Sequence, residues 1–425
     1  MALKLDQIMT QVFDALAHDY AGMPECDDGT QQMWTNACNK AWKSKILDDK
    51  LFYQYMTQRI AGLGDRNLCF LMGPDATYQP ETCGFTVRRF GDELHVVSVE
   101  HDERLVPGDV VELINKSRPS KHLAYAIGNP CGSDVEERQD WGFFLVNSSH
   151  FVVRHADGSR EDLRTRRWPQ EDPEPAPCGF EVLADGTCVL TVTQLEDDEA
   201  ARTLEAHAAE VRGAAKLVID LRTCNGGIES MAYPLLNWLF DEETNLKELQ
   251  EAEVLLTNYT VANCDRREAQ IAQLRRLTPA DGSDDETLGW LDENFEAVRD
   301  NRGKGYVREV VEPEDLPICA GPAGQRVVLL TDTATADAAE WLALVAKKSP
   351  RVTQLGRATT GNLDYSNPLA VAYENRFIFV YPMSKTKAAA EGHGMHGVGV
   401  EPDVAVPFSP EECLRDVLME RALAL

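Results

Sequence analysis

The chain has 425 residues, 42 of them lysine or arginine against 70 aspartate or glutamate, for a formal net charge of -28. That length suggests roughly two or three domains, and 43% apolar residues allow large buried cores. The acidic excess opposes phosphate backbones and anionic lipid, so neither nucleic acid nor a membrane is expected as a partner.

In the amino-terminal segment, Leu5, Ile8, Met9, Val12, Phe13, Leu16 and Ala17 recur at helical spacing, and a second apolar run spans Leu51 to Ile60. Together they predict a helical cap over residues 1–78. Polar residues interrupt this segment too often for a signal peptide, and no window approaches the roughly 18 apolar residues of a membrane span. Eleven cysteines without a C-x-x-C pair fit reduced thiols, so a cytoplasmic protein is expected.

From Cys83 the period becomes strand-like in CGFTVRRF, ELHVVSVE, DVVELIN and FFLVNSSHFVVRH, predicting a β-rich domain over 79–165. The run WPQEDPEPAPCGF, with four prolines among acids, reads as an extended linker over 166–178. Beyond it, TCVLTVTQL, KLVIDLRT and RVVLLTD read as strands and alternate with helical stretches. The pattern implies βαβ units and a largely parallel sheet. Residues 241–313 are polar and predict an insertion with its own helices, and 411–425 a C-terminal helix.

Three segments fall where α/β sheets place function, at the carboxyl ends of strands. The first, Asp220 to Gly227 (DLRTCNGG), ends a buried strand in a turn whose two glycines expose backbone amides. The second, Thr335 to Glu340 (TADAAE), opens a helix directly after RVVLLTD; taken alone, Asp337 would be a helix cap. The third, Gly356 to Asn367 (GRATTGNLDYSN), reads alone as a Gly/Asn turn.

In this order the three segments resemble the carboxyl-terminal-processing (tail-specific) serine peptidase family, which includes the tricorn core peptidases. There the motifs read DLRxNxGG, TxSAxE and GxxTxGxxD, and Gly397 to Asp403 (GVGVEPD) resembles the closing G-x-G-V-x-P-D. The segment DYAG at Asp19 to Gly22 resembles the helical cap of a bacterial branch. The resemblance implies an α/β multidomain fold: a helical N-terminal cap, a β-rich PDZ-like domain, and a ClpP/crotonase-like α/β peptidase core over 179–410. It further implies an oxyanion hole at the amides of Gly226, Gly227 and Ala338, and peptide binding at Gly84 and Phe85. The implied partner is a peptide or the C-terminus of an unfolded protein, with a homo-oligomer as a further option; no cofactor or metal is expected.

Two residues depart from the family motifs, and of these Asp337 bears on activity, since the branch with G-x-L-D-Y-S-N loops, which this chain resembles more closely, commonly lacks the lysine. Asp337 stands at the nucleophilic serine position, and Asn362 at the position of the lysine base in the tail-specific branch. A serine hydroxyl attacking an amide gives an ester that water can hydrolyse. A carboxylate would give a mixed anhydride of much higher energy, with its charge beside the developing oxyanion. One reading is therefore a homologue that binds peptide C-termini without cutting them. A second is an active hydrolase that uses another nucleophile, or in which Asp337 activates water with Asp364 as a second carboxylate. A third is an assembly scaffold.

Weaker candidates complete the reading. His18 could approach the core from the cap as a base, but a solvent-exposed helix histidine is the simpler expectation. His393 and His396 lie in a glycine-rich loop without a third ligand. His207 reads as a surface or interface residue, and Ser366 as a turn serine or a displaced nucleophile.

Overall fold

Hydrophobic runs that are buried on both faces build the core sheet of one of the chain's two compact units. The computed structural model describes residues 4–23, 48–61, 63, 65–123, 135–171, 176–278 and 285–425. Residues 24–47 of the expected cap and 172–175 of the expected linker lie outside the described residues. The chain divides into two compact units, one from residues 1–80, 253–311 and 364–394, the other from 81–252, 312–363 and 395–425.

In the second unit a six-stranded sheet runs in the order Val404–Ala405, Val352–Gly356, Arg326–Thr331, Lys216–Asp220, Cys188–Thr191, Gly179–Val182. Every pair is parallel except the last, where Gly179–Val182 lies antiparallel at the edge. Side chains alternate between two cores as the period of two requires. Leu217, Ile219, Val327 and Leu329 face the helices Glu199–Ala206, Glu229–Leu236 and Asp337–Ala346. Val218, Val328 and Leu330 face Leu418 and Ala422 of the C-terminal helix Val417–Ala424. This is why KLVIDLRT carries a continuous apolar run: both faces of that strand are covered.

The same unit contains a five-stranded antiparallel sheet in the order Phe85–Phe90, Glu93–Val99, Val110–Ile114, His150–Arg154, Arg160–Arg164. FFLVNSSHFVVRH was expected to be strand throughout, but Gly142–Val146 is a short helix and the strand begins at His150. The reason is tertiary: Trp141 and Leu145, four apart on one helical face, both fill the core of this sheet. Leu145 N–H donates to Trp141 O at 2.8 Å.

In the first unit, Phe377–Thr386 pairs antiparallel with Tyr365–Tyr373 across a tight turn in which Glu374 and Asn375 take φ of 53° and 55°. It also pairs with Cys69–Met72 and Glu253–Tyr259, and the latter with Gly305–Val311. The helix Leu5–His18 turns Ile8, Val12 and Leu16 onto this sheet, where they meet Phe52 and Met56 of the helix Asp49–Ala61 and Phe377, Phe379 and Tyr381. The segment read as a polar helical insertion therefore also supplies two sheet strands, on either side of the helices Val261–Leu277 and Asp285–Asn301. No described helix is long and apolar enough to cross a membrane.

An ion network joins the antiparallel sheet to the parallel one within the second unit. Arg88 Nη2 donates to Asp332 Oδ2 at 2.8 Å, Arg357 Nη1 to the same oxygen at 3.0 Å, and Arg357 Nη2 to Glu412. Burial alone would raise the Asp332 carboxyl, but Arg88 and Arg357 overcome it and hold the group below the ordinary carboxylate range. A group depressed on folding stabilises fully above its unfolded pKa, and that contribution is lost as pH falls through the folded value. Urea unfolding should therefore show stability declining below about pH 4, with a shallower decline in Asp332→Asn. Identical pH slopes for the two proteins would contradict the assignment.

Candidate functional site

The strand Lys216–Asp220 ends in a turn whose geometry depends on glycine. Gly227 has φ of 135°, and a Cβ there would stand 2.5 Å from Leu195 O. Ile228 N–H donates to that same carbonyl at 2.8 Å, zipping the turn against Leu195. Before the glycines, Asp220 holds Arg222 through Nε at 2.9 Å and Nη2 at 2.7 Å, and Arg222 reaches on to both carboxylate oxygens of Asp416. Cys224 is fully buried, and that burial pushes its thiol up to about 12, so it is no nucleophile near neutral pH.

The second motif docks directly onto this turn. Thr335 Oγ1 donates to Leu221 O at 2.9 Å, and Ala336 N–H to Cys224 O at 3.1 Å. Asp337 then begins the helix at φ of 48°, a left-handed conformation that is uncommon outside glycine. Asp337 N–H donates to Asn362 Oδ1 at 3.0 Å, and Asn362 Nδ2 donates back to Asp337 Oδ1. The two side chains at the expected nucleophile and base positions thus form a reciprocal clamp. Asp337 Oδ2 points toward Gly226, 3.6 Å from where a Cβ on that residue would stand, and Glu196 Oε1 approaches the same point to 3.8 Å. Ala338 follows in the first helical turn.

Glu340 supplies the link to the third motif. It is 0% exposed. Its Oε1 accepts from Thr359 Oγ1 and Gly361 N–H, and its Oε2 accepts from Asn362 N–H at 2.8 Å. Thr359 Oγ1 in turn accepts from Val400 N–H at 2.7 Å, tying in the closing motif. Gly361 has φ of 80°, and any Cβ there would lie 2.2 Å from Met395 O. Arg138 completes the loop: Nη1 donates to Thr360 O and Gly397 O, and Nη2 to Thr359 O and Val398 O. One guanidinium therefore gathers four carbonyls from two loops.

The other expected site residues have different surroundings. Asp364 belongs to the first unit, where its Oδ1 accepts from Thr386 Oγ1 at 3.2 Å. His18 also lies there, 59% exposed, with Nε2 3.7 Å from Asp14. Ser366 Oγ is buried and has no hydrogen-bond partner among the described residues. At the expected carboxylate-binding loop, Gly84 N–H donates to Thr82 Oγ1 at 3.1 Å, and a Cβ on Gly84 would stand 2.9 Å from the Trp168 ring. Trp168 itself stacks on His101 at 5.8 Å, and Phe85 lies in the core edge-on to Phe151. His207 stacks on Phe180 at 4.2 Å. Among the described residues no group of three or more His, Cys, Asp or Glu could hold a metal, the surroundings of His393 and His396 included.

Three contributors were given no role from sequence, although Glu340 closes the second motif. Glu340 had a signal, an acid at the fourth position of the helix DAAEWLALVA, which is apolar everywhere else after Asp337. Arg138 and Glu196 had none, because a lone charge in a loop is indistinguishable from a solvated one. Removing an acceptor from Glu340 leaves buried donors unpaired, each costing roughly 1–3 kcal/mol. Glu340→Gln should therefore lose at least about 2 kcal/mol in urea unfolding; a loss below about 0.5 kcal/mol would show that the loop does not depend on this carboxylate.

Comparison with known proteins follows the same geometry. A model of peptidase family S41 matches residues 186–406, which spans all three motifs and more than half of the chain. Among solved structures, mature CPAF complexed with lactacystin is 15% identical, covers 99% of this chain and 97% of its own, and superposes with a TM-score of 0.65. Mature CPAF alone, also 15% identical, gives 0.62 over 98% of this chain and 95% of its own. At such identity the likeness is one of fold. With motif order, strand-end placement and the family match in agreement, the chain belongs to peptidase family S41.

Proposed function

We propose that this chain is a peptide-binding member of the S41 family that engages protein C-termini or unfolded segments with little or no serine-type proteolysis. The observation that carries the reading is the Asp337–Asn362 clamp. It puts a carboxylate and an amide where a serine–lysine pair would need a hydroxyl and an amine. The clamp also engages Asp337 N–H and one carboxylate oxygen, so Asp337 is held rather than free to attack. The turn amides of Gly226 and Gly227, with Ala338 in the first helical turn, would then receive a peptide carbonyl or carboxylate without subsequent chemistry.

The approach of Asp337 and Glu196 to one point beside Gly226 supports the second reading, carboxylate-activated water. Here Glu196 replaces Asp364 as the second acid. The unaltered protein should show no labelling by a serine-directed phosphonate and no cleavage of unfolded protein substrates by mass spectrometry. Asp337→Ser should label slowly and turn over peptide weakly, because Asn362 cannot act as a base. Robust wild-type cleavage that disappears in Asp337→Asn and in Glu196→Gln would overturn the inert reading in favour of activated water.

For the antiparallel sheet over 85–164, the reading is a PDZ-like module whose Gly84 loop would capture a terminal carboxylate while the Phe85–Phe90 edge pairs with the peptide. The Trp168 ring over Gly84 must move aside for that. Peptides with a free carboxylate should bind better than amidated ones, Trp168→Ala should widen the difference, and Gly84→Val should abolish it. Equal binding of both peptides to Trp168→Ala would remove the carboxylate-capture role.

A further inference from the structure

The sheet of the first unit ends, among the described residues, in an edge strand without an outer neighbour. Among the described residues, Gly305–Val311 pairs only with Glu253–Tyr259, so its outer row of N–H and C=O groups has no partner strand. The strand is seven residues long and exposes apolar surface: Tyr306 is 42% exposed, and Val310 and Val311 are each 47% exposed. Soluble proteins usually shorten, cover or bulge such an edge, because it is a template for another strand. This one is regular, and no described strand covers it.

We propose that this edge is a self-association surface, pairing antiparallel with the same strand of a second copy about a two-fold axis at Val310. Symmetry restricts the registers. A two-fold axis perpendicular to a sheet keeps each face on its own side, so one residue must sit on the axis opposite its copy. An axis at Arg308 or at Glu309 would oppose like charges, which is destabilising. An axis at Val307 would leave Val310 and Val311 uncovered.

The axis at Val310 has neither fault. It packs the two exposed Val310 side chains together and sets Val311 opposite Glu309. It also places Arg308 of each copy opposite Glu312 of the other. Both residues are exposed, and neither has an ion-pair partner among the described residues. The match therefore supplies two intermolecular charge pairs to side chains that lack intramolecular ones. Two copies of net charge -28 repel at long range. At physiological ionic strength the Debye length of about 8 Å screens that repulsion while leaving contact pairs in place.

Sedimentation velocity on the full chain at physiological ionic strength tests the proposal. The wild-type protein should show a monomer–dimer equilibrium. Arg308→Glu and Glu312→Arg, each setting like charges opposite one another at both pairs, should weaken the dimer at least about tenfold. The double swap should return the dissociation constant to within about threefold of wild type. Unchanged thermal melting of each variant confirms that these exposed sites do not perturb the fold. A protein that is monomeric throughout, a dimer indifferent to both single swaps, or single-swap losses that the double swap does not reverse would each overturn the proposal.

Discussion

The buried carboxylate of Glu340 is the constraint on which the candidate site depends. Removing a charge from water costs several kcal/mol unless its lone pairs are met, and here three donors meet them. Those donors come from Thr359, Gly361 and Asn362, so satisfying the carboxylate fixes the path of the third motif. Asn362 is then positioned to clamp Asp337, and Thr359 to hold Val400. The location of Glu340 in the first turn of its helix adds a favourable interaction with the positive end of the helix dipole. Sequence segments 20 to 60 residues apart are thus organised by one side chain.

That arrangement explains why Asp337 can be accommodated without disturbing the fold. Two acids in one helical turn would repel if both were bare. Glu340 is saturated by donors, and Asp337 has the Asn362 amide on one oxygen at the same helix N-terminus. An amide is suited to this task because it donates and accepts at once, meeting both Asp337 N–H and Asp337 Oδ1. A lysine at position 362 could donate to the carboxylate but could not accept from the N–H. The reciprocal bonds make the pair Asp337 and Asn362 chemically self-consistent.

The parallel sheet performs the positioning. Because its strands are covered on both faces, their ends are rigid, and the turns that follow Lys216–Asp220, Arg326–Thr331 and Val352–Gly356 are presented side by side. The antiparallel sheet contributes from outside this layer. Arg88 of that sheet reaches Asp332, and Arg138, at the end of the short turn Glu136–Arg138 between two of its strands, gathers four carbonyls from the loops carrying the third and closing motifs.

By itself the sequence determined the elements whose signal is local and periodic: the buried strands of the α/β core, the helix opening at Asp337, the glycine turn at 226–227 and the order of motifs that marks the family. These follow from side-chain period and glycine stereochemistry, which act over a few residues. Tertiary structure alone decided the rest. Gly142–Val146 became a helix because Trp141 and Leu145 fit one core. Glu253–Tyr259 and Gly305–Val311 became neighbours although two helices separate them. The reciprocal bonds between Asp337 and Asn362, the approach of Glu196 to Gly226 and the reach of Arg138 to residues more than 200 positions away depend on distances of a few ångströms between remote segments. No period or composition encodes such distances, because a hydrogen bond between remote side chains is set by how the layers pack.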